Sequence, residues 1–236
     1  MVRADRFLVD SGFFESRNRA SEALRAKKVI IDGVVAKPST KCNSLSKIEI
    51  LEDRFYISRS AQKLEYFLKE IDLNLKDKIA LDIGSSTGGF VQILLENFVK
   101  EVVAVDVGDN QLHKILREDN RVRVFENCDI REFKSDEPFD IVTCDVSFIS
   151  ILKIIDSINR LSKRDIIILF KPQFEVGRDV KRSKRGVVID NMAISKARLN
   201  FEESAKKLGW RLQKSSKSKL SGKSGNIEYL YHFIKV

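Results

Sequence analysis

Three cysteines in 236 residues, Cys42, Cys128 and Cys144, lie far apart with no Cys-x-x-Cys pair. That spacing supports neither a disulfide framework nor a cysteine zinc site, and it fits a reducing cytoplasm. Two histidines, His113 and His232, are too few for a histidine-rich metal centre; each reads as an ordinary surface or core side chain, and no metal is expected. No apolar run approaches the roughly 20 residues of a membrane-spanning helix. No leader with an apolar core and a cleavage site is recognisable, and neither an internal repeat nor a long low-complexity tract is present.

Positive charge is what the chain has in excess. The net charge is +9, and its distribution says more than its total. Residues 178–223 hold 14 Lys/Arg against 4 Asp/Glu, and residues 1–50 hold 10 against 6, so the rest of the chain is net acidic. Two basic regions flanking a core point to a polyanionic partner, nucleic acid foremost. A basic surface kept only for solubility is the plainer alternative. A hydrophobic content of 43% supports a sizeable core, and the length suits a small domain joined to a medium one.

The stretch Lys78-Ile-Ala-Leu-Asp-Ile-Gly-Ser-Ser-Thr-Gly-Gly-Phe90 organises the chain. Ile79–Ile83 reads as a buried strand, a Gly/Ser/Thr turn follows, and a helix begins near Gly88 with Phe90, Val91, Leu94 and Leu95 on one face. This is the first β-loop-α unit of a doubly wound sheet, where ligands bind beyond the carboxyl ends of the strands. The turn is neither Gly-x-Gly-x-x-Gly nor a phosphate loop, because no Gly-Lys-Ser/Thr follows. Asp82, two residues before the first glycine, suggests a carboxylate facing a ligand amine. That Asp-x-Gly pattern resembles the first motif of S-adenosylmethionine-dependent methyltransferases. A tight turn with no ligand is the alternative.

Before this unit, residues 1–52 read as a separate small domain. Ala4–Ser11 is a short helix stopped by Gly12. Ser16 caps a second helix running to about Ala26, with Ala20, Ala23 and Leu24 inward. Val29–Val35 is a hairpin whose Asp32-Gly33 signals a type I′ turn, and Ile48–Leu51 is a further strand. Three elements in order, Arg3-Ala-Asp-Arg-Phe-Leu-Val9, Ser16-Arg-Asn-Arg-Ala-Ser-Glu-Ala-Leu24 and Val29-Ile-Ile-Asp-Gly-Val-Val35, resemble the S4-like RNA-binding domain. That resemblance makes Arg6, Arg17, Arg19, Arg25, Lys27 and Lys28 candidate RNA contacts; each alone reads equally as a solvated surface charge.

Residues 53–60 form a charged connector, and residues 61–236 form the larger domain. A helix runs from Arg59 to about Ile71 and carries Lys63 near its start, where the helix dipole gives a cation no help. Glu101–Val105 is a second strand ending at Asp106, a carboxylate suited to a ribose diol. The spacing from Gly84 to Asp106 would also suit a Rossmann dinucleotide enzyme. A helix from Asn110 to Glu118, a strand Arg121–Phe125 and then Asn127-Cys-Asp129, placed for an adenine edge, come next. Phe139–Cys144 is a fourth strand ending at Asp145, Ile149–Leu161 a helix, and Asp165–Phe170 a fifth strand ending at Lys171. A basic loop (179–186), a helix (191–208) and two closing strands (Trp210–Ser218 and Ile227–Lys235) complete an α/β fold. The expected architecture is the class I, Rossmann-like, seven-stranded methyltransferase sheet preceded by a small α+β domain.

The end of the fourth strand narrows the chemistry. Asp145-Val-Ser-Phe148 lacks the prolines of the Asn/Asp-Pro-Pro-Tyr motif used on exocyclic amines, and Cys144 reads as a small core residue rather than a nucleophile. An alternative acceptor is a ribose 2′-hydroxyl, a poor acid that a lysine balanced by carboxylates could orient or deprotonate. Lys63, Asp145, Lys171 and Glu228 resemble the Lys-Asp-Lys-Glu set of FtsJ-like 2′-O-methyltransferases.

The whole chain resembles the TlyA family of rRNA 2′-O-methyltransferases, often called haemolysin A. The resemblance rests on Ser58-Arg-Ser-Ala-Gln-Lys-Leu64, Leu81-Asp-Ile-Gly-Ser-Ser-Thr-Gly-Gly-Phe90, Ala104-Val-Asp-Val-Gly108, Cys144-Asp-Val-Ser-Phe-Ile-Ser150, Phe170-Lys-Pro-Gln-Phe-Glu-Val-Gly177 and Gly225-Asn-Ile-Glu-Tyr-Leu230. It implies cytidine 2′-O-methylation in ribosomal RNA of the large (23S) subunit, with the small (16S) subunit a further substrate for some members. The chain's lengths at both ends resemble the shorter family form, associated with the large-subunit site alone. Ser60 stands where the family often has glycine. The resemblance further implies S-adenosylmethionine held by Asp82, Gly84, Ser85, Gly88, Asp106 and Asp129, catalysis by Lys63, Asp145, Lys171 and Glu228, and ribosomal subunits as partners.

Three other readings stay open: an RNA-binding or ribosome-assembly module without catalysis, a membrane-active haemolysin, and a dinucleotide dehydrogenase. The basic helices lack the wide apolar face that a membrane-active helix needs. Arg59, Arg178, Lys181, Arg182, Lys184 and Arg185 are further RNA-contact candidates. Reversing the charges of Arg178, Lys181, Arg182, Lys184 and Arg185 should weaken RNA binding and flatten its salt dependence by about one log–log unit per lost phosphate contact, read from affinities across a salt series; an unchanged affinity would count against this loop as part of the interface.

Overall fold

From Arg59 onward, buried apolar strands alternate with helices that bury one face each, and the strands close into a single sheet. The computed structural model describes residues 1–51 and 55–236. It divides into two units, Met1–Phe55 and Tyr56–Val236. The expected domain boundary at residue 52 and the start of the connector lie at residues 52–54, outside the described residues.

The smaller unit contains β1 (Val2–Arg3), α1 (Ala4–Asp10), α2 (Arg17–Arg25), β2 (Val29–Ile31), β3 (Val34–Val35), β4 (Lys41–Cys42) and β5 (Ile48–Ile50). Ser16 caps α2 by accepting a hydrogen bond from the Arg19 N–H at 3.4 Å. Asp32 and Gly33 both adopt positive φ, 53° and 80°, as a type I′ turn between β2 and β3 requires. The core is Ala4, Leu8, Ala20, Leu24, Val29 and Ile31 with their neighbours.

The larger unit runs α3 (Arg59–Leu68), β6 (Ile79–Ile83), α4 (Gly89–Glu96), β7 (Glu101–Val105), α5 (Lys114–Arg117), β8 (Val122–Phe125), β9 (Phe139–Cys144), α6 (Ile155–Leu161), β10 (Ser162–Phe170), α7 (Pro172–Glu175), α8 (Asn191–Lys207), β11 (Trp210–Lys217) and β12 (Tyr229–Lys235). The seven strands lie in the order β11-β12-β10-β9-β6-β7-β8. β10, β9, β6, β7 and β8 are parallel, and β12 enters antiparallel between β10 and β11. The strand order turns back at β6, between β7 and β9, so the carboxyl ends of those strands form the crevice where doubly wound sheets bind ligands. A core lies on each face: one cluster includes Leu81, Val142, Ile168 and Phe201, the other Leu64, Phe90, Leu94 and Ile167.

Three expected elements differ. The helix expected over 110–118 is only the single turn α5, because the Glu126 carboxylate accepts the N–H groups of Asn110, Gln111 and Leu112 at 2.7–3.0 Å and holds them in a loop. Asn110 has positive φ there. The helix expected over 149–161 breaks into a 3-10 turn (Ile151–Lys153) and α6, since Glu175 and Ser150 take the first N–H groups. β10 starts at Ser162, directly after α6, with a register irregularity before Asp165.

Gly88 marks where packing and backbone demand glycine together. Its φ is +96°, and a Cβ there would meet Leu116 Cδ1 at 2.2 Å. Gly88→Ala should lower the unfolding free energy by about 1–3 kcal/mol in urea denaturation.

Candidate active site

Strand chemistry sets the acidic floor of the crevice. Asp82 pairs in register with Thr143 on the neighbouring strand, and the Thr143 hydroxyl donates to Asp82 Oδ1 at 2.6 Å. Asp82 Oδ2 is buried without a hydrogen-bond partner. Burial pushes the Asp82 carboxyl up to about 7, the Thr143 hydrogen bond opposes that rise, and the negative charges of Asp145 and Asp106 add to it. Asp106, at the end of β7, accepts the N–H groups of Ser86 and Gly108 at 2.8 and 2.7 Å. It thus clamps two loops and keeps lone pairs for a further donor. Gly84, at φ +77°, brings its turn against the backbone of Asp145; a Cβ would meet Asp145 O at 3.0 Å. Ser85 is buried in the same turn.

Two expected cofactor residues have contacts of their own. The Asp129 carboxylate pairs with the Arg131 guanidinium at 2.5 Å, which lowers its pKa and fixes its orientation. Gly88 fits its position through its left-handed backbone and the leucines packed on it.

Beside the floor lie two lysine–carboxylate pairs. Lys171, just after β10, places Nζ 2.6 Å from Asp145 Oδ1 at the end of β9, and donates to Ser147 Oγ at 2.9 Å. Lys63, in the second turn of α3, reaches Glu228 Oε2 at 2.5 Å, with side-chain exposures of 9% and 3%. Asp145 is held above the usual carboxylate range by burial, against the pull of Lys171 and Lys63, and the negative charge of Glu228 reinforces the rise. The four charges therefore share one field. Phe148 follows with φ +65° and 92% exposure, its ring 5.2 Å from Phe174.

Three polar groups at the site escaped the sequence reading. Thr143 sat within an apolar strand, and only its register opposite Asp82 gives it a role. Gln173 donates to Glu228 Oε1 at 3.3 Å. Glu175 accepts from Ser150 Oγ at 2.6 Å and from the Ile151 N–H at 2.9 Å, anchoring the segment after β9; burial raises its pKa.

The basic candidates divide. Arg178, Lys181, Lys184 and Arg185 are exposed. The Arg182 guanidinium is instead committed to its own loop, donating to the carbonyls of Gln173, Gly177, Arg178 and Val180. Arg59 donates to Ser221 O at 2.7 Å. In the smaller unit Arg17 pairs with Asp5 and Arg6 with Asp10, and Arg19 lies over the Phe55 ring. Arg25 and Lys27 line a surface cavity of about 650 Å³ with Arg3 and Lys37. Lys28 is half-buried.

The sequence model of the FtsJ-like methyltransferase family matches residues 56–235, and that of the S4 domain matches residues 2–44. A Campylobacter jejuni protein named 23S rRNA (cytidine-2′-O)-methyltransferase TlyA is 45% identical over 97% of this chain and 98% of its own. The chain belongs to the TlyA family of FtsJ-like methyltransferases. A Mycobacterium tuberculosis relative, named 16S/23S rRNA (cytidine-2′-O)-methyltransferase TlyA, is 37% identical over 97% of this chain and 88% of its own. A solved Streptococcus thermophilus structure bearing the name hemolysin is 33% identical, with a TM-score of 0.74 over 99% of this chain and 88% of its own.

S-adenosylmethionine is the cofactor of this TlyA-family methyltransferase, and the crevice fits it. Asp82, Asp106 and Asp145 bring negative charge together, and Asp82 keeps an unpartnered oxygen. A ligand carrying an ammonium, a sulfonium and a ribose diol supplies the missing positive charge and donors. A cationic group held against Asp82 requires the ionised carboxylate, so cofactor affinity should rise with pH by up to about tenfold per unit and level off above about pH 7. Calorimetry between pH 5.5 and 7.5 should show proton release on binding, and Asp82→Asn should abolish both effects.

Proposed function

We propose that this chain transfers the methyl group of S-adenosylmethionine to the 2′-hydroxyl of a cytidine in ribosomal RNA, with the large-subunit 23S RNA as its principal substrate. The observation that carries the reading is the set of two lysine–carboxylate pairs, the half-buried Lys171–Asp145 and the buried Lys63–Glu228, beside the acidic cofactor floor. The relative at 45% identity bears a 23S cytidine-2′-O name; the one at 37% bears a 16S/23S name, and small-subunit RNA is the second candidate substrate.

When bound, S-adenosylmethionine supplies a methyl group on positively charged sulfur. The chain's own part is to present the hydroxyl and receive its proton. Lys171 Nζ is fixed between Asp145 and Ser147, and in this proposal it hydrogen-bonds the nucleophilic oxygen. The hydroxyl proton released on methylation would pass to the Asp145 carboxylate, with the Lys171 ammonium steadying the oxygen. The raised pKa of Asp145 makes it a competent final holder of that proton. Lys63 and Glu228 fix the far side and keep the total charge of the set at zero. Orientation carries much of the catalysis, because the sulfonium is already a strong methyl donor.

The S4 unit and the exposed Arg178, Lys181, Lys184 and Arg185 are proposed to hold the RNA, and a ribosomal substrate places the protein in the cytoplasm. Among the described residues no helix is long and apolar enough to cross a membrane, so the structure offers no spanning helix for the haemolysin reading.

Labelled methyl transfer to purified small subunits, large subunits and whole ribosomes from a strain lacking this chain tests the proposal. Large-subunit RNA should take the label in an alkali-resistant linkage, and Lys171→Ala should slow transfer by about 10²–10⁴-fold. Absence of both label and cofactor binding would favour the non-catalytic RNA-binding module.

A further inference from the structure

Among the described residues, Glu228 has two carboxylate oxygens and one cation in contact. Oε2 meets Lys63 at 2.5 Å. Oε1 faces the neutral amide of Gln173, whose Nε2 donates at 3.3 Å. The backbone of Gly222 closes over the same oxygen; a Cβ there would meet Oε1 at 2.4 Å. Gln173 stands two residues after Lys171, on the short helix α7. Its own carbonyl is held by Arg182 Nη2 at 3.2 Å. The amide can face Glu228 in one orientation only, because turning it over would set Oε1 against the carboxylate. In the orientation present, Gln173 Oε1 is buried without a hydrogen-bond partner. An orphaned buried acceptor is costly, and it is tolerated here beside the reacting centre.

The two ion pairs come from different elements: Lys63–Glu228 joins α3 to β12, and Lys171–Asp145 joins β10 to β9. Gln173 is the side chain that ties the first pair to the helix beginning at Lys171. The connector also has to be uncharged. Lys63 and Lys171 are balanced by Asp145 and Glu228, so a third carboxylate or a third cation would unbalance the set.

We infer that Gln173 is a positioning residue for methyl transfer, its amide locking Glu228, and through it the Lys63 ammonium, in register with the Lys171–Asp145 pair. The inference rests on the catalytic reading proposed above for those four residues.

The test uses the full chain and purified large ribosomal subunits, with Gln173→Met, Gln173→Glu and Lys171→Ala. Gln173→Met keeps the volume and removes the amide. It should lower kcat at least tenfold while leaving KM for subunits and Kd for S-adenosylmethionine within twofold. Gln173→Glu sets a second carboxylate against Glu228, in the field of Lys63 from α3, Lys171 after β10 and Asp145 after β9. The added negative charge favours the protonated form of Asp145, the proposed proton acceptor, so the acid limb of its kcat profile should move up by at least one pH unit. A Gln173→Met kcat within twofold of the parent, with an unmoved acid limb in Gln173→Glu, would overturn the inference. So would a Gln173→Met loss shared equally by cofactor affinity and melting temperature with that limb unmoved, the mark of a packing role. A wild-type rate in Lys171→Ala would instead overturn the catalytic reading itself, a failure that the Gln173 variants alone do not produce.

Discussion

Taking four charged side chains out of water at one end of a sheet is the constraint that shapes this molecule. Each ion costs several kcal/mol to desolvate, and Coulomb attraction offsets that only when the partners sit in good geometry. Here the geometry is supplied by strand order. Placing β10 between β9 and β12 brings Asp145, Lys171 and Glu228 to one edge of the crevice, and α3 crosses to deliver Lys63. Removing any one partner would leave an uncompensated charge in a poorly hydrated place. The surrounding contacts (Ser147 on Lys171, Gln173 on Glu228) complete the hydrogen bonding that such a group demands.

The floor beside these pairs follows the opposite rule. Asp82 and Asp106 converge with no cation in contact among the described residues, and burial with repulsion from the neighbouring carboxylates holds the Asp82 proton on to about neutral pH. One region of the crevice is thus electrically balanced and the adjoining one is short of positive charge. A cationic methyl donor is attracted to the second, while the first is left free to handle a proton.

Strong local signals were legible in the sequence. The strands Glu101–Val105 and Phe139–Cys144 appear where apolar runs ended by aspartate placed them, and the Asp32-Gly33 turn has the backbone that its residues require. The seven-stranded sheet and the S4 unit also emerge as expected. What escaped was decided by side chains from distant elements. Glu126 unwinds residues 110–112 from beyond β8, and Glu175 interrupts the helix expected from residue 149. No periodicity carries that information, because a carboxylate reaching a backbone N–H from another element leaves no local trace. Gln173 and Thr143 were hidden for the same reason: each matters through its partner. Arg182 is held by carbonyls of its own loop and of Gln173, and Asp129 by Arg131 two residues on, contacts that composition alone does not show.

The Lys63–Glu228 pair closes a loop of 165 positions. Contacts of such separation form late, since the entropy of closing the intervening chain must be met before the contact stabilises anything. During synthesis Lys63 leaves the ribosome long before its counter-ion exists, and β12 must insert between β10 and β11 before the set is neutral. The reaction centre is therefore assembled by one of the final folding events. A partly made chain can hold most of its parallel strands and still lack the means to react, so catalytic competence itself reports that the sheet has been completed.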